Sequence, residues 1–386
     1  MPDSLAHHSA TDPALSWNPR AAVGPRYARV RAEGKRVRDV LPDWSGYALK
    51  YLLKNRGAAP SVLDHFAAQR HRLQALYAEP RPPGPTVRLG LVGDMMWIRR
   101  NWGGFLGDCV RHHMTGFDAC LGNLETPISD RHRVPRWLPD YIRYNATPDL
   151  LRAFRRPDGT SPFAALSLAN NHALDKGDVG IERTLAALEA EGVPAAGVGP
   201  RGETADYVAF DRGGIRFGFF AAAWGVNDPD ALRRSRFGVN PLAAAFAALR
   251  RMVRAGVEFR VVSLHWGHEF EYYPTAEQIH FARALVDAGA DVVMGHHPHV
   301  LQPMAVYDAA DGRRGAVFYS LGNFTTAMFT HGCSVGVVQG IEVYRDPSGA
   351  VAWSRPTRHW TRCRRGRIAA VPSPGAWLLQ HLGEPT

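Results

Sequence analysis

The side chains able to do chemistry in this chain fall into five groups, each at or just after the end of an apolar run. Asp94 closes Leu89-Gly90-Leu91-Val92-Gly93, Asn123 and Glu125 close a second run, and Asn170-Asn171-His172 follow a third. His265 and Glu269 follow a fourth, and His296-His297-Pro298-His299 follow a fifth. Aspartate, glutamate, asparagine and histidine together form the hard-to-borderline donor set that suits Mn²⁺, Fe²⁺ or Zn²⁺. Singly, each group has an ordinary structural explanation: Gly-Asp after a strand is commonly a turn, Asn-His a cap, and His-x-His a packed pair. Five groups at strand ends are another matter, because ligands of open α/β sheets bind in the crevice beyond the carboxyl ends of the strands. The pattern predicts one centre holding one or two divalent ions.

The elements that would carry these groups alternate along the chain. Strands are predicted at 87–93, 119–124, 164–168, 260–265 and 291–295, with helices near 181–191, 241–255 and 276–288. Hairpins interrupt this order: 208–210 and 215–222 flank Asp211-Arg212-Gly213-Gly214, and 304–307 and 316–320 flank Asp311-Gly312-Arg313-Arg314-Gly315. The expected fold is therefore α/β with mixed sheets. Ahead of it, Leu49, Leu52, Leu53, Leu63, Phe66, Leu73 and Leu76 recur at helical spacing and predict two helices within 46–77. Pro80-Arg81-Pro82-Pro83-Gly84-Pro85 ends them and forms a linker, since proline fixes φ and removes a backbone donor.

Composition excludes several classes. With 386 residues, 45% hydrophobic and 21% charged, the chain can bury a large core and is neither disordered, collagenous nor a disulfide scaffold. Cys109, Cys120, Cys333 and Cys363 lack CxxC spacing, so reduced thiols are expected. The N-terminus lacks an apolar core of signal-peptide length and no run reaches membrane-span length, which predicts a cytoplasmic protein with at most peripheral membrane contact. The formal net charge of +10 favours an anionic partner. The excess concentrates in residues 1–85 and in Tyr344–Arg367, where seven arginines face one aspartate. No recognition motif accompanies these charges, so specific nucleic-acid binding is not expected.

Taken in order, Gly93-Asp94-Met95-Met96, Asn123-Leu124-Glu125-Thr126-Pro127, Ala169-Asn170-Asn171-His172 with Asp175 and Gly177, and His265-Trp266-Gly267 with Glu269 resemble the successive motifs of the CapA poly-γ-glutamate capsule family. Gly295-His296-His297-Pro298-His299 and Tyr319-Ser320-Leu321-Gly322-Asn323-Phe324 extend the resemblance, which covers about residues 88–326. That family is similar in fold to the calcineurin-like metallophosphoesterases. The resemblance implies a four-layer α/β sandwich over 86–343, preceded by a helical extension over 1–85 and followed by an Arg-rich segment over 344–386. It further implies Asp94 and His299 on one ion, Asn171, His265 and His297 on a second, and Glu125 between them. His172 would be a general acid oriented by Asp175, with Asn123, Asn170, Glu269 and Asn323 holding the ligands in place. Met96 stands where metallophosphoesterases carry the histidine of Asp-x-His, and Glu125 where they carry Asp.

Two function classes follow. One is a metal-dependent hydrolase acting on an anionic phosphoester or γ-glutamyl-type amide, its substrate gripped by Arg99, Arg100 and Lys176. Arg131, Arg133, Arg136 and Arg143, interleaved with Trp97, Trp102, Trp137 and Tyr141, would extend that grip. The other is a non-catalytic polyanion-binding or scaffold subunit of poly-γ-glutamate-like polymer synthesis.

Overall fold

Two mixed sheets stacked face to face carry the strand ends singled out above. The computed structural model describes residues 58–80, 82, 84–96, 105–130, 144–326, 328, 331–364 and 367–383. Residues 46–57, Arg99, Arg100 and the Arg/Trp-rich stretches around 97–102 and 131–143 lie outside the described residues. The strands are β1 (Thr86–Met95), β2 (Ala119–Leu124), β3 (Phe163–Ser167), β4 (Ala195–Ala196), β5 (Val198–Pro200), β6 (Val208–Arg212), β7 (Ile215–Ala223) and β8 (Phe237–Val239). They continue with β9 (Phe259–His265), β10 (Val292–His296), β11 (Met304–Asp308), β12 (Arg314–Phe318), β13 (Asn323–Thr325), β14 (Val335–Arg345), β15 (Val351–Arg364) and β16 (Arg367–Ala370). The first sheet runs β16-β15-β14-β1-β2-β3-β4 with β13 also on β1, and the second β11-β12-β10-β9-β7-β6. Both expected hairpins, β6–β7 and β11–β12, are antiparallel, while β1–β2–β3 and β7–β9–β10 are parallel.

The helices are α1 (Pro60–Tyr77), α2 (Asp108–Thr115), α3 (Asp149–Arg152), α4 (Gly177–Ala190), α5 (Pro229–Arg234), α6 (Ala244–Arg254), α7 (Ala276–Asp287), α8 (His331–Ser334) and α9 (Ala376–Leu382). Three apolar clusters account for the layering. Leu89, Leu91 and Leu121 of the first sheet meet Phe217, Val261, Val292 and Phe318 of the second between the sheets. Val92, Cys120 and Leu166 pack outward against Val110 and Met114 of α2, Leu150 of α3 and Leu188 of α4. Phe220, Val262 and Val293 pack outward against Leu249 and Met252 of α6 and Phe281 and Leu285 of α7. The result is four layers, helix, sheet, sheet and helix. Strands covered on both faces bury nearly every residue, which is why they read in the sequence as continuous apolar runs instead of alternating ones.

Within the predicted 46–77 helical region, one helix, α1, is described, and it packs against the main domain. Val62 and Phe66 enter the outer cluster of the second sheet. The Gln69 side-chain oxygen accepts the Val306 N–H of edge strand β11 at 2.9 Å, so the helix covers an edge that would otherwise present free donors. The segment 344–386, expected as an Arg-rich stretch after the main domain, supplies β15, β16 and α9, and its Trp353, Cys363 and Leu378 are buried. Pairing with β14 makes this segment part of the first sheet, and from β15 the Arg358 side chain donates to Gln339 Oε1 of β14 at 3.0 Å. Among the described residues no helix is long and apolar enough to cross a membrane.

Candidate metal centre

Strand register, more than any single loop, assembles the centre. Asp94 pairs with Asn123 across β1–β2 and with Asn323 across β1–β13. His265 pairs with His296 across β9–β10. The turns that follow β2, β3, β9 and β10 then place Glu125, Asn170, Asn171, His172, Glu269, His297 and His299. Two glycines make the approach possible: a Cβ on Gly93 would sit 2.0 Å from Gly322 O, and one on Gly295 2.0 Å from Tyr319 O. His297 (φ 94°), His299 (φ 59°) and Phe270 (φ 67°) adopt left-handed backbone conformations. Such conformations cost energy and persist only where surrounding structure holds them, here in part through Phe270 N–H donating to Pro298 O at 2.8 Å.

Asp94, Glu125 and His299 offer donor atoms within 4.8 Å of one another, and Glu125, His265 and His297 form a second such set. Glu125 belongs to both. Glu269, His297 and His299 form a third set, so Glu269 stands close enough to donate directly instead of only supporting a ligand. The neighbours fix orientation. Asn123 Nδ2 donates to Asp94 Oδ1 at 2.8 Å and lies 3.3 Å from His265 Nδ1. His297 N–H donates to Asp94 Oδ2 at 3.1 Å. Asn171 Oδ1 is 2.9 Å from His265 Nε2. Asn323 Oδ1 is 3.0 Å from His299 Nδ1, and its amide nitrogen donates to Cys333 O at 3.0 Å. Asn170 donates to Leu124 O at 2.9 Å and accepts His172 N–H at 3.1 Å, tying two strand ends together.

The electrostatics favour a cation. Asp94, Glu125 and His265 are buried to 1% exposure or less. Burial opposes ionisation of Asp94, yet hydrogen bonds from His296 and His299 hold its carboxyl well below the usual range. Burial, then the adjacent Asp94 carboxylate, pushes Glu125 well above its ordinary value. Burial likewise keeps His265 neutral, the form that coordinates metal. Neither carboxylate oxygen of Glu125 receives a hydrogen bond. A buried carboxylate without donors is costly, and a divalent ion shared with imidazoles is the partner that removes the cost. The donor set, three oxygens and three nitrogens from Asp94, Glu125, Asn171, His265, His297 and His299, fits Mn²⁺, Fe²⁺ or Zn²⁺.

Beside this cluster, His172 Nδ1 lies 2.8 Å from Asp175 Oδ2, and that oxygen also accepts the Tyr144 N–H at 2.6 Å. The Tyr144 ring stacks on His172 with centroids 3.9 Å apart. Asn227 Nδ2 is 3.4 Å from His172 Nε2, while Asn227 Oδ1 accepts from Asn171 Nδ2 at 3.2 Å. Lys176 is half-buried at the start of α4, one residue beyond Asp175. Met96 packs into the apolar cluster around α2, so that position adds no donor.

Three residues of this neighbourhood were given no role from the sequence. His296 ends β10 with Nδ1 3.1 Å from Asp94 Oδ1, and its place inside the His-rich motif was the available signal. Asn227 follows the apolar run of β7, the same rule that singled out the other groups. Tyr144 carries no local signal, since only tertiary packing brings it to His172.

Residues 89–328, more than half of the chain, match the family model described as bacterial capsule synthesis protein PGA_cap. The chain belongs to this family. Among PGA_cap relatives, the capsule biosynthesis protein CapA of Bacillus anthracis is 29% identical over 253 residues, covering 62% of this chain and 59% of that protein. The PGA biosynthesis protein CapA of Bacillus subtilis is 33% identical over 213 residues, covering 54% and 53%. The chain thus spans under two thirds of the length of either relative. In backbone shape it is distantly similar to the NAD nucleotidase of Haemophilus influenzae, with TM-score 0.43 and 12% identity over 75% of this chain and 60% of that one.

Proposed function

We propose that this PGA_cap protein is a metal-dependent hydrolase that cleaves an anionic phosphoester or γ-glutamyl-type amide at the strand-end centre. The observation that carries this reading is Glu125, buried, without a hydrogen-bond donor and common to two donor sets. Divalent ions held there would lower the pKa of a water and offset negative charge developing as the bond breaks. Asp94, Glu125 and His299 would hold one ion, and Asn171, His265 and His297 the other. Asp175 fixes the His172 ring through Nδ1, so that Nε2, which Asn227 Nδ2 approaches at 3.4 Å, is the nitrogen that would exchange a proton with the leaving group once substrate displaces that contact. Tyr144 keeps that pair in place from the ring face and through its backbone donor. Lys176, with Arg99 and Arg100, would bind the substrate's negative charge, in keeping with the +10 balance of the chain. The names of the relatives, capsule and PGA biosynthesis, direct the substrate search to γ-linked glutamate polymers and their fragments.

A non-catalytic, polyanion-binding subunit is the second reading, favoured by Met96: the donor set around Asp94 contains a single imidazole. Elemental mass spectrometry followed by assays on an aryl phosphodiester, an aryl phosphomonoester and a γ-glutamyl oligomer separates the two. Hydrolysis requires metal in the purified protein and turnover that chelation, His265→Ala and His172→Gln each abolish. Polymer binding that persists without metal, and no turnover of any substrate by the metal-loaded protein, would establish the second reading.

A further inference from the structure

A separate group of soft and borderline donors lies where α2 packs on β15. Cys109 and His113 are one helical turn apart on α2, so they share a face. Cys109 Sγ is 3.5 Å from His113 Nε2. A tetrahedral centre with Zn–S about 2.3 Å and Zn–N about 2.0–2.1 Å places its sulfur and nitrogen about 3.5 Å apart, the spacing seen here. From β15, the His359 ring stacks on His113 with centroids 4.0 Å apart and planes 27° from parallel. His112 lies at 6.3 Å on the solvent side. The thiol is exposed and both rings are part-buried, so an ion can enter from solvent. Arg111, the cation between the two helix donors, is turned away and donates to Ala153 O. Partial burial lowers both His113 and His359, helped by repulsion from His112 on His113 and from His113 on His359, which favours the neutral rings that coordinate metal.

We infer that Cys109, His113 and His359 form a second metal site, for a soft or borderline ion such as Zn²⁺, on the outer face of the first sheet. Cys109 and His113 stand preset as a two-donor clamp. In this structure the donors of all three do not converge within 4.8 Å; His359 would complete the set by rotating its ring from the face of His113 to its edge, with water in the fourth position. The site shares no residue with the strand-end centre and needs none of its chemistry. Its effect would be to clip α2 to β15, adding to the fold the free energy of ion binding.

Cobalt is the probe, because a thiolate bound to Co²⁺ gives a near-ultraviolet charge-transfer band that an oxygen and nitrogen centre cannot produce. Co²⁺ titrated into the full chain under reducing conditions should raise this band to saturation at one equivalent of thiolate-bound ion. Cys109→Ser should remove it, and His113→Ala or His359→Ala should each weaken the apparent affinity roughly tenfold or more. Glu125→Gln, which disables the strand-end centre, should leave the band intact. Cys109 is exposed and both histidines only part-buried, so unchanged circular dichroism of the variants separates lost binding from lost folding. Absence of the band in the unsubstituted chain, or its survival in Cys109→Ser, would overturn the site. An unchanged affinity in His359→Ala would overturn the assignment of the third donor.

Discussion

The two sheets contribute unlike halves of the centre. Most oxygen donors come from the first, through Asp94 on β1, Glu125 after β2 and Asn171 after β3; the nitrogen donors come from the second, through His265 on β9 and His297 and His299 after β10, with Glu269 after β9 adding an oxygen there. The halves also differ in what burial does to them. A neutral imidazole such as His265 tolerates burial, whereas Asp94 and Glu125 are two carboxyl groups buried together, and Asp94, held ionised, pushes Glu125 well above its ordinary range. The second half holds one donor set by itself, Glu269 with His297 and His299, whereas both sets that use Glu125 draw on the two sheets together. The centre therefore reports the packing of one sheet on the other, and the oxygen half is the strained one until a cation is present.

The most disruptive test is steric. Gly93→Ala and Gly295→Ala each drive a Cβ into a carbonyl oxygen at 2.0 Å, one in each sheet. Both should lose at least about 3 kcal/mol of stability in urea denaturation, and a harmless substitution in either sheet would show that its strand end can move.

Next comes acid, which should act on the imidazole side even outside the cluster. Burial lowers His381 of α9 to about 4, where it stacks on Trp377 beside Tyr272 and Tyr273 of the loop after β9. Its folded value is below its unfolded one. The stability it supports is thus complete above about pH 6.5 and falls as the pH drops toward 4, by about 3 kcal/mol. Chemical denaturation at pH 7 and pH 4.5 measures this, and His381→Gln should flatten that part of the profile.

Metal affinity gives the third test. His265→Ala should weaken Mn²⁺ or Zn²⁺ binding more than about 100-fold in equilibrium dialysis, against about 10–100-fold for Asn323→Ala, which only orients His299. Equal losses would erase the distinction between donor and support.

Smaller effects test the charge asymmetry itself. In chelated protein, Glu125→Gln should raise stability by about 1–2 kcal/mol while removing the metal-dependent rise in Tm, because it deletes a carboxyl group that burial and Asp94 hold well above its ordinary range, a shift that costs stability at neutral pH. A loss of stability instead would mean the chain already compensates Glu125. Last, Gln69→Ala should cost about 1 kcal/mol by uncovering the Val306 N–H at the edge of the second sheet, with no effect on metal binding.

Much of this was legible in the residues. Apolar runs closed by Asp94, Glu125, Asn171, His265 and His299 marked strand ends and candidate donors together, because strand burial and turn chemistry are local and write themselves into local patterns. The α/β order, both hairpins and the helices near 181–191, 241–255 and 276–288 followed from the same periodicity. Which donors meet did not. That Glu125 serves two sets, that His296 reaches Asp94 and that Asn227 and Tyr144 flank His172 depend on register between strands far apart in the chain and on the stacking of two sheets. The arginines of β15 misled for the same reason: charge is visible in a sequence, but a strand partner such as β14 is not. Residue types settled what chemistry was available, and only the packing of one sheet on the other decided where it converges, since register and burial are set by contacts no local window contains.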